Sequence, residues 1–447
     1  MLVEARRVGA GTTGHSTAKL SLLQGSVLQR LRAHAGDEVL AAYVEANRVG
    51  RDWLLGLLAE RGAEVQTRDA VTYAVTDAGA RLVAQEAEAA LDAGLPVVET
   101  TDTGLPFPVL AAIRLPDQAQ FDPLDVLDAL RAELDALGGT VVEGTRVTGC
   151  SWSRPWRVTT TGGEVVAERV VLATQTPVLD RSLHFARLRA HRSYALAYRV
   201  DGRAVPRDMY LSVDDPTRSL RTAPDDEGEL LLVGGNGHQV GRGGSTAARV
   251  ADLDGWARRH LGVGEPRWSW AAQDYQTSRQ VPSVGAVPGT GGALLVATGF
   301  DKWGMSNAAA AGHVLAGDLL GSPPAYASGL RSTGVSPRDV GDAARHNASV
   351  GTRWFVGRLR RLAPGGTDAP PAEGDGRVEG GPIGPTAVST VDGRTCRVSA
   401  VCPHLGGILT WNDVERSWDC PLHGSRFTAD GHLVEGPATS DLSPRDP

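Results

Sequence analysis

Residues 402 to 425 read C-P-H-L-G-G-I-L-T-W-N-D-V-E-R-S-W-D-C-P-L-H-G-S. Cys402 and His404 form a C-x-H pair, fifteen residues intervene, and Cys420 and His423 form a C-x-x-H pair. Two thiolates and two imidazoles supplied by paired short loops can hold a [2Fe–2S] cluster, with both cysteines on one iron and both histidines on the other. The same four donors suit a tetrahedral Zn²⁺ site, whose ligands also come in closely spaced pairs. Spacing alone leaves both open.

The flanking residues favour iron. The runs C-P-H-L-G-G at 402 to 407 and C-P-L-H-G-S at 420 to 425 resemble the two cluster-binding loops of Rieske domains. Trp411-Asn412 and Trp418-Asp419 precede the second loop, and Gly431 and Gly436-Pro437-Ala438 follow it, as in that family. The resemblance covers residues 367 to 445 and implies a small all-β domain ligating the cluster through Cys402, His404, Cys420 and His423. High-potential members carry a disulfide between the loops where this chain has Gly407 and Leu422. The resemblance also implies that Ser425 donates to a cluster sulfide, whereas Phe427 replaces a donor tyrosine. Fewer donors stabilise the reduced cluster less, so a potential low in the roughly −150 to +300 mV Rieske range is expected.

The chain has 447 residues, 41% hydrophobic and 22% charged, enough for two or three domains of ordinary soluble composition. Its net charge of −7 and scattered arginines argue against a nucleic-acid surface. No apolar run is long enough to span a membrane, and the start lacks a signal-peptide core. Cys150 and Cys396 lie too far apart in sequence to read as a disulfide framework, so a reducing cytoplasm is expected. Of 45 basic residues only two are lysine, Lys19 and Lys302. An ammonium can have its pKa shifted where a guanidinium cannot, so either lysine is a candidate for chemistry or a chance survivor.

Apolar spacing predicts helices over 37 to 61 and 123 to 137, and β-rich runs predict strands at 97 to 99, 110 to 115, 140 to 142, 157 to 161, 165 to 173, 195 to 200 and 229 to 234. Mixed helices and strands imply an α/β domain with a strand-rich insertion. Gly, Pro, Asp and Glu crowd 364 to 382 after a helix-like stretch at 354 to 362, which marks a linker. The expected domains are 1 to 330, with a substrate subdomain at about 180 to 285, a linker at 331 to 366, and 367 to 447.

Residues 294 to 313, L-L-V-A-T-G-F-D-K-W-G-M-S-N-A-A-A-A-G-H, read as a buried strand, a glycine turn and a small-residue helix. A helix entered through Gly304 brings free N–H groups and a positive dipole end close to an electron-rich ring. Here the larger domain resembles the FAD-dependent oxidoreductases of the D-amino-acid oxidase and glycine oxidase superfamily, with a Rossmann-like FAD-binding fold and an antiparallel substrate domain. The likeness spans residues 1 to about 325. It implies that Gly299, Phe300, Lys302, Trp303, Gly304 and Met305 lie against the flavin and that Glu4 binds the adenosine ribose. It further implies that residues 9 to 20, including Thr13, Gly14, His15, Ser16, Thr17 and Lys19, flank the pyrophosphate and flavin. Val147 is expected to meet adenine through its backbone, and Thr174 lies in the strand returning to the cofactor.

In that superfamily about 30 residues precede the residue matching Glu4: a strand, a G-x-G-x-x-G turn and a helix. Here Met1 stands three residues before it. Loss of that unit would remove a central parallel strand and weaken FAD binding, and a start upstream of Met1 is the favoured expectation. The resemblance implies oxidation of an amine or amino-acid C–N bond, with single electrons relayed through the cluster to or from an outside carrier. The alternative is a non-catalytic electron-transfer or redox-sensing module on a degenerate flavin fold. A Rieske oxygenase is not expected, because a mononuclear iron site would have to follow the Rieske loops and 24 residues follow His423. Lys302 is the weak catalytic candidate. His238, Asp274, Arg279, Trp268, Trp270 and Tyr275 stay uncommitted between substrate pocket and plain structure.

Overall fold

The computed structural model describes residues 1–178, 184–200, 205–242, 244–331, 369–380 and 384–445. The expected linker, including its helix-like stretch at 354 to 362, lies outside the described residues from 332 onward.

A nine-stranded sheet forms the centre of the N-terminal domain. Its strands run in the order Trp268–Thr277, Leu188–Arg199, Gly228–Gln239, Arg218–Asp225, Met209–Ser212, Val65–Ala74, Ala111–Phe121 and Lys19–Leu20, with Val98–Thr100 paired to Ala111–Phe121. All neighbours are antiparallel except Met209–Ser212 against Val65–Ala74. Five of these strands fall between 188 and 277, in the strand-rich insertion the sequence indicates. Val65–Ala74 was not expected, because its last five residues are all buried and give no alternation.

The expected helices form as Asp37–Glu60 and Pro123–Ala136. Asp122 caps the second by accepting from the Leu124 N–H at 2.8 Å. Helix Gly304–Leu320 packs against Asp37–Glu60 so closely that a Cβ on Gly50 would lie 2.5 Å from the Ser306 carbonyl oxygen. Polar side chains weld this contact. The Tyr43 hydroxyl donates to Gln24 at 2.7 Å, Asn307 donates to Tyr43 at 3.1 Å, and Asn47 donates to Asn307 at 3.2 Å. A satisfied buried network of this kind fixes helix register more strictly than apolar packing does.

Two further parallel pairs lie in separate small sheets. Leu2–Val3 pairs with Val141–Val142, and Val170–Leu172 pairs with Leu294–Thr298, which also carries antiparallel Ser283–Ala286. Among the described residues no strand is hydrogen-bonded between the two. The run expected at 165 to 173 divides into strands Gly163–Ala167 and Val170–Leu172, which belong to different sheets.

The C-terminal domain contains a three-stranded sheet, Gly376–Glu379, Thr386–Val391 and Arg394–Ser399, and a four-stranded one, Thr410–Asn412, Ser417–Asp419, Arg426–Thr428 and Leu433–Glu435. Ala387, Val398, Trp418, Phe427 and Leu442 form its core. No helix among the described residues is long and apolar enough to cross a membrane.

Candidate redox site

The two ligand loops close with the same hydrogen-bond pattern. The Cys402 N–H donates to the Gly407 carbonyl and the Gly406 N–H to the Cys402 carbonyl, at 2.8 and 3.0 Å. Cys420 and Ser425, and Gly424 and Cys420, repeat those bonds at the same distances. Gly406 and Gly424 hold the left-handed position each turn requires, at φ 72° and 83°. Between the loops the two thiols hydrogen-bond each other, and the His404 and His423 rings meet edge to face at 5.1 Å.

That hydrogen bond from Cys420, opposed by burial and aided by the His404 and Leu405 N–H groups and Ser425, draws the Cys402 thiol below its ordinary value, while Cys420 is held well above it. Burial holds the His404 imidazole toward its neutral form, the form that ligates metal. The donors pair thiol with thiol and imidazole with imidazole, the division a two-iron cluster needs. A Cβ on Gly407 would lie 2.7 Å from Leu422 and 3.0 Å from the Cys420 sulfur, so an apolar contact stands where other members have a disulfide. The Ser425 hydroxyl accepts from the Ala438 N–H at 3.0 Å and hydrogen-bonds Cys402. Phe427 is buried in the core.

A cavity of about 680 Å³ lies along helix Gly304–Leu320, lined from Gly304 to Ala316. Of the residues expected around the flavin, Thr13, Ser16, Gly299, Phe300, Lys302, Gly304 and Met305 line it. Its far wall is apolar, with Trp53, Leu54, Val126 and Leu130. The volume falls in the usual range for cofactor sites and the lining is largely apolar, so it fits a flavin ring. Gly299, at φ 79°, could not bear a side chain: its Cβ would lie 2.3 Å from Thr277. Asp301 and Lys302 also take left-handed φ values, 45° and 72°. The turn is pinned where the Asp301 N–H donates to the Tyr275 carbonyl at 3.1 Å and the Lys302 N–H to the Asp274 carboxylate. Burial raises the Asp274 carboxyl to about 6.

Other expected residues lie apart from this cavity. Glu4 accepts from the Arg6 N–H at 3.0 Å, Val147 begins the strand Val147–Cys150, and Thr174 donates to the Thr176 carbonyl at 2.9 Å. His15 is exposed and bonds the Gly11 carbonyl at 2.8 Å; Gly14 packs on Gly9, and Thr17 precedes the strand Lys19–Leu20. Trp303 packs on the main core. Lys19 turns into the large sheet, donating to the Tyr210 carbonyl at 2.6 Å and the Ser219 hydroxyl at 2.7 Å. Burial, with Arg221 nearby, lowers its pKa well below the ordinary lysine value. His238 lies not in a hairpin turn but in the strand Gly228–Gln239, stacked on Tyr194. Trp268 is exposed and Trp270 donates to the His15 carbonyl at 2.9 Å.

Residues 1–317 match the FAD dependent oxidoreductase family and residues 376–444 the Rieske [2Fe-2S] domain. The chain belongs to the FAD dependent oxidoreductases and ends in a Rieske domain. FAD and a [2Fe–2S] cluster are the cofactors these two domains imply. Over 449 aligned residues, 99% of this chain and 87% of its relative, it is 30% identical to YhfW of Bacillus subtilis (strain 168), named as a Rieske 2Fe-2S iron-sulfur protein. Glycine oxidase from Geobacillus kaustophilus superposes with a TM-score of 0.62 at 18% identity, covering 75% of this chain and 92% of its own. L-proline dehydrogenase from P. horikoshii gives 0.60 at 16%, covering 77% and 90%. At those identities the likeness speaks for the fold alone.

The Rieske domain seats its second ligand loop on the oxidoreductase sheet. Arg192, 1% exposed, pairs with Asp419, 5% exposed, and donates to Gln273 at 2.9 Å. The Gln273 amide donates to the Gly424 carbonyl at 2.8 Å, and the Tyr275 hydroxyl lies 3.4 Å from the His423 carbonyl oxygen. Arg146 adds a bond to the Leu433 carbonyl at 3.1 Å. A buried ion pair and a loop with no room for a side chain at Gly424 hold this contact. Arg192 and Gln273 carry no motif. Both sit among other polar residues in their strands, so the sequence does not single them out.

Proposed function

We propose that this protein oxidises a C–N bond of an amine or amino acid with FAD and passes the electrons singly through its own Rieske cluster. One observation carries the reading: the strand Trp268–Thr277 serves both centres. Gln273 and Tyr275 face the Rieske loop, while Asp274 holds the 299–304 turn that lines the flavin cavity. Alternating side chains put the two sets on opposite faces of one sheet, so a single layer separates cluster and cavity. The substrate class proposed is the one named for two proteins of the same fold, glycine oxidase and L-proline dehydrogenase.

Bound FAD supplies acceptance of a hydride equivalent. The protein positions and polarises. The N-terminus of helix Gly304–Leu320 favours negative charge developing on the ring. Lys302 lines the cavity with its backbone N–H fixed by the Asp274 carboxylate, and its ammonium lies against Gly237 of the strand Gly228–Gln239. The apolar wall of Trp53, Leu54 and Val126 limits water.

The test is anaerobic. Purified protein is mixed with a panel of amino acids and amines, and flavin absorbance and the paramagnetic signal of the reduced cluster are followed together. Flavin bleaching followed by the cluster signal is expected. Bleaching with no cluster signal under any substrate would remove the relay, and no bleaching with any amine would remove the substrate class.

A further inference from the structure

The second ligand loop is bracketed by one side chain of the other domain. Arg192 pairs with Asp419, the residue before Cys420, and through Gln273 it reaches the carbonyl of Gly424, the residue after His423. Both ends of the Cys420–His423 turn therefore depend on a single guanidinium. Nothing larger than glycine fits at 424, where a Cβ would lie 2.5 Å from Ala190, 3.0 Å from the Gln273 amide and 3.1 Å from the Tyr275 hydroxyl. The fit is that of a receptor built for this loop.

Resting on the cluster reading above, we propose that Arg192 is a positioning residue that holds the Cys420–His423 loop and raises the cluster's potential, so that this redox poise exists only while the domains are docked. Reduction adds one negative charge to the cluster. In a site sealed from water a cation acts at low effective dielectric and favours that added charge. Undocked, the loop loses the cation, and Asp419 keeps only its neutral donors Asn412, at 3.0 Å, and Ser417, at 3.2 Å. The carboxylate beside Cys420 then opposes reduction. Docking and electron affinity are thereby linked, and the cluster is the better acceptor when it lies against the oxidoreductase sheet.

The experiment uses the full-length holoprotein and three variants, Arg192→Gln, Arg192→Lys and Gln273→Ala. Iron and acid-labile sulfide per chain, the paramagnetic spectrum after dithionite, and the midpoint potential by anaerobic titration are measured. Arg192→Gln is expected to shift the midpoint negative and alter the spectrum. Arg192→Lys, which keeps the charge without the fork, should restore most of the potential. Gln273→Ala is expected to lose iron to a chelator faster than wild type. An Arg192→Gln protein with the wild-type midpoint and spectrum would overturn the proposal. Should that variant fail to fold, Gln273→Ala decides, and wild-type cluster retention and spectrum there would overturn it equally. Wild-type protein without acid-labile sulfide would instead sink the parent cluster reading, so the two failures are distinguishable.

Discussion

Asp413 of the Rieske domain caps a helix of the oxidoreductase domain at Thr246. Its carboxylate accepts the Thr246 and Ala247 N–H groups at 3.1 and 3.0 Å and the Ser245 hydroxyl at 2.7 Å. The helix Thr246–Leu261 thus presents its positive end to a residue more than 160 positions away in sequence. Burial alone would raise the Asp413 pKa, but bonds from Thr246, Ser245 and Ala247 outweigh it and lower the value. Asp413→Ala is expected to weaken docking by about 1 kcal/mol. Hydrogen exchange should quicken both at 245–250 and at 411–426, and a change confined to one segment would speak against the cap. A carboxyl depressed in the folded state stabilises above its unfolded pKa of about 3.9 and loses that contribution as pH falls through the lower folded value. Docking is therefore expected to loosen only in strong acid, read by the same exchange measurement.

Gly424→Ala should undock the loop without touching a ligand. Its Cβ would meet Ala190 and Gln273, and φ 83° is itself costly for alanine. A penalty of roughly 1–3 kcal/mol is expected. Rapid-mixing experiments should show flavin reduction at the wild-type rate with cluster reduction slowed. Equal slowing of both would mean the damage is global.

Glu86 supplies a pH dependence far from either centre. It is 0% exposed and accepts the Leu28 and Gln29 N–H groups at 3.1 and 2.8 Å, where helix Val27–Ala35 begins. Burial raises its pKa to about 7 despite those bonds. A carboxyl raised in the folded state binds its proton more tightly there, so stability declines as pH rises from the unfolded value of about 4.3 toward 7. The loss is on the order of 3 kcal/mol. Glu86→Gln should flatten the melting temperature across this window, and an unchanged slope would assign it to other groups.

Lys302→Met keeps the length of the side chain and removes its charge. At least a roughly tenfold fall in the rate of flavin reduction is expected, equivalent to about 1.4 kcal/mol. The cluster's paramagnetic spectrum should stay as in wild type. A wild-type rate would take Lys302 out of the chemistry.

The ligand loops were legible because their chemistry is local: four donors, two left-handed glycines and a serine lie within 24 residues and need no distant contact to be recognised. The turn at 299 to 305 was legible for the same reason. Lys19 shows where this fails. Its place in a glycine-rich stretch suggested the diphosphate, yet pairing of Lys19–Leu20 with Ala111–Phe121 turns the ammonium toward Tyr210 and Ser219. His238, left uncommitted by its glycine-rich surroundings, is settled as a strand residue only by the pairing of Gly228–Gln239 with Leu188–Arg199.

The amino-acid order by itself determined both domain types and the cofactor chemistry they imply, since short-range spacing fixes donor identity and turn geometry. Only the tertiary structure decided how the domains meet. Arg192, Gln273, Tyr275 and Asp413 matter through partners 148 to 227 residues away, or 167 for the helix cap. The free energy of such contacts comes from burial and charge pairing across two folded surfaces, and neither exists until both domains have formed.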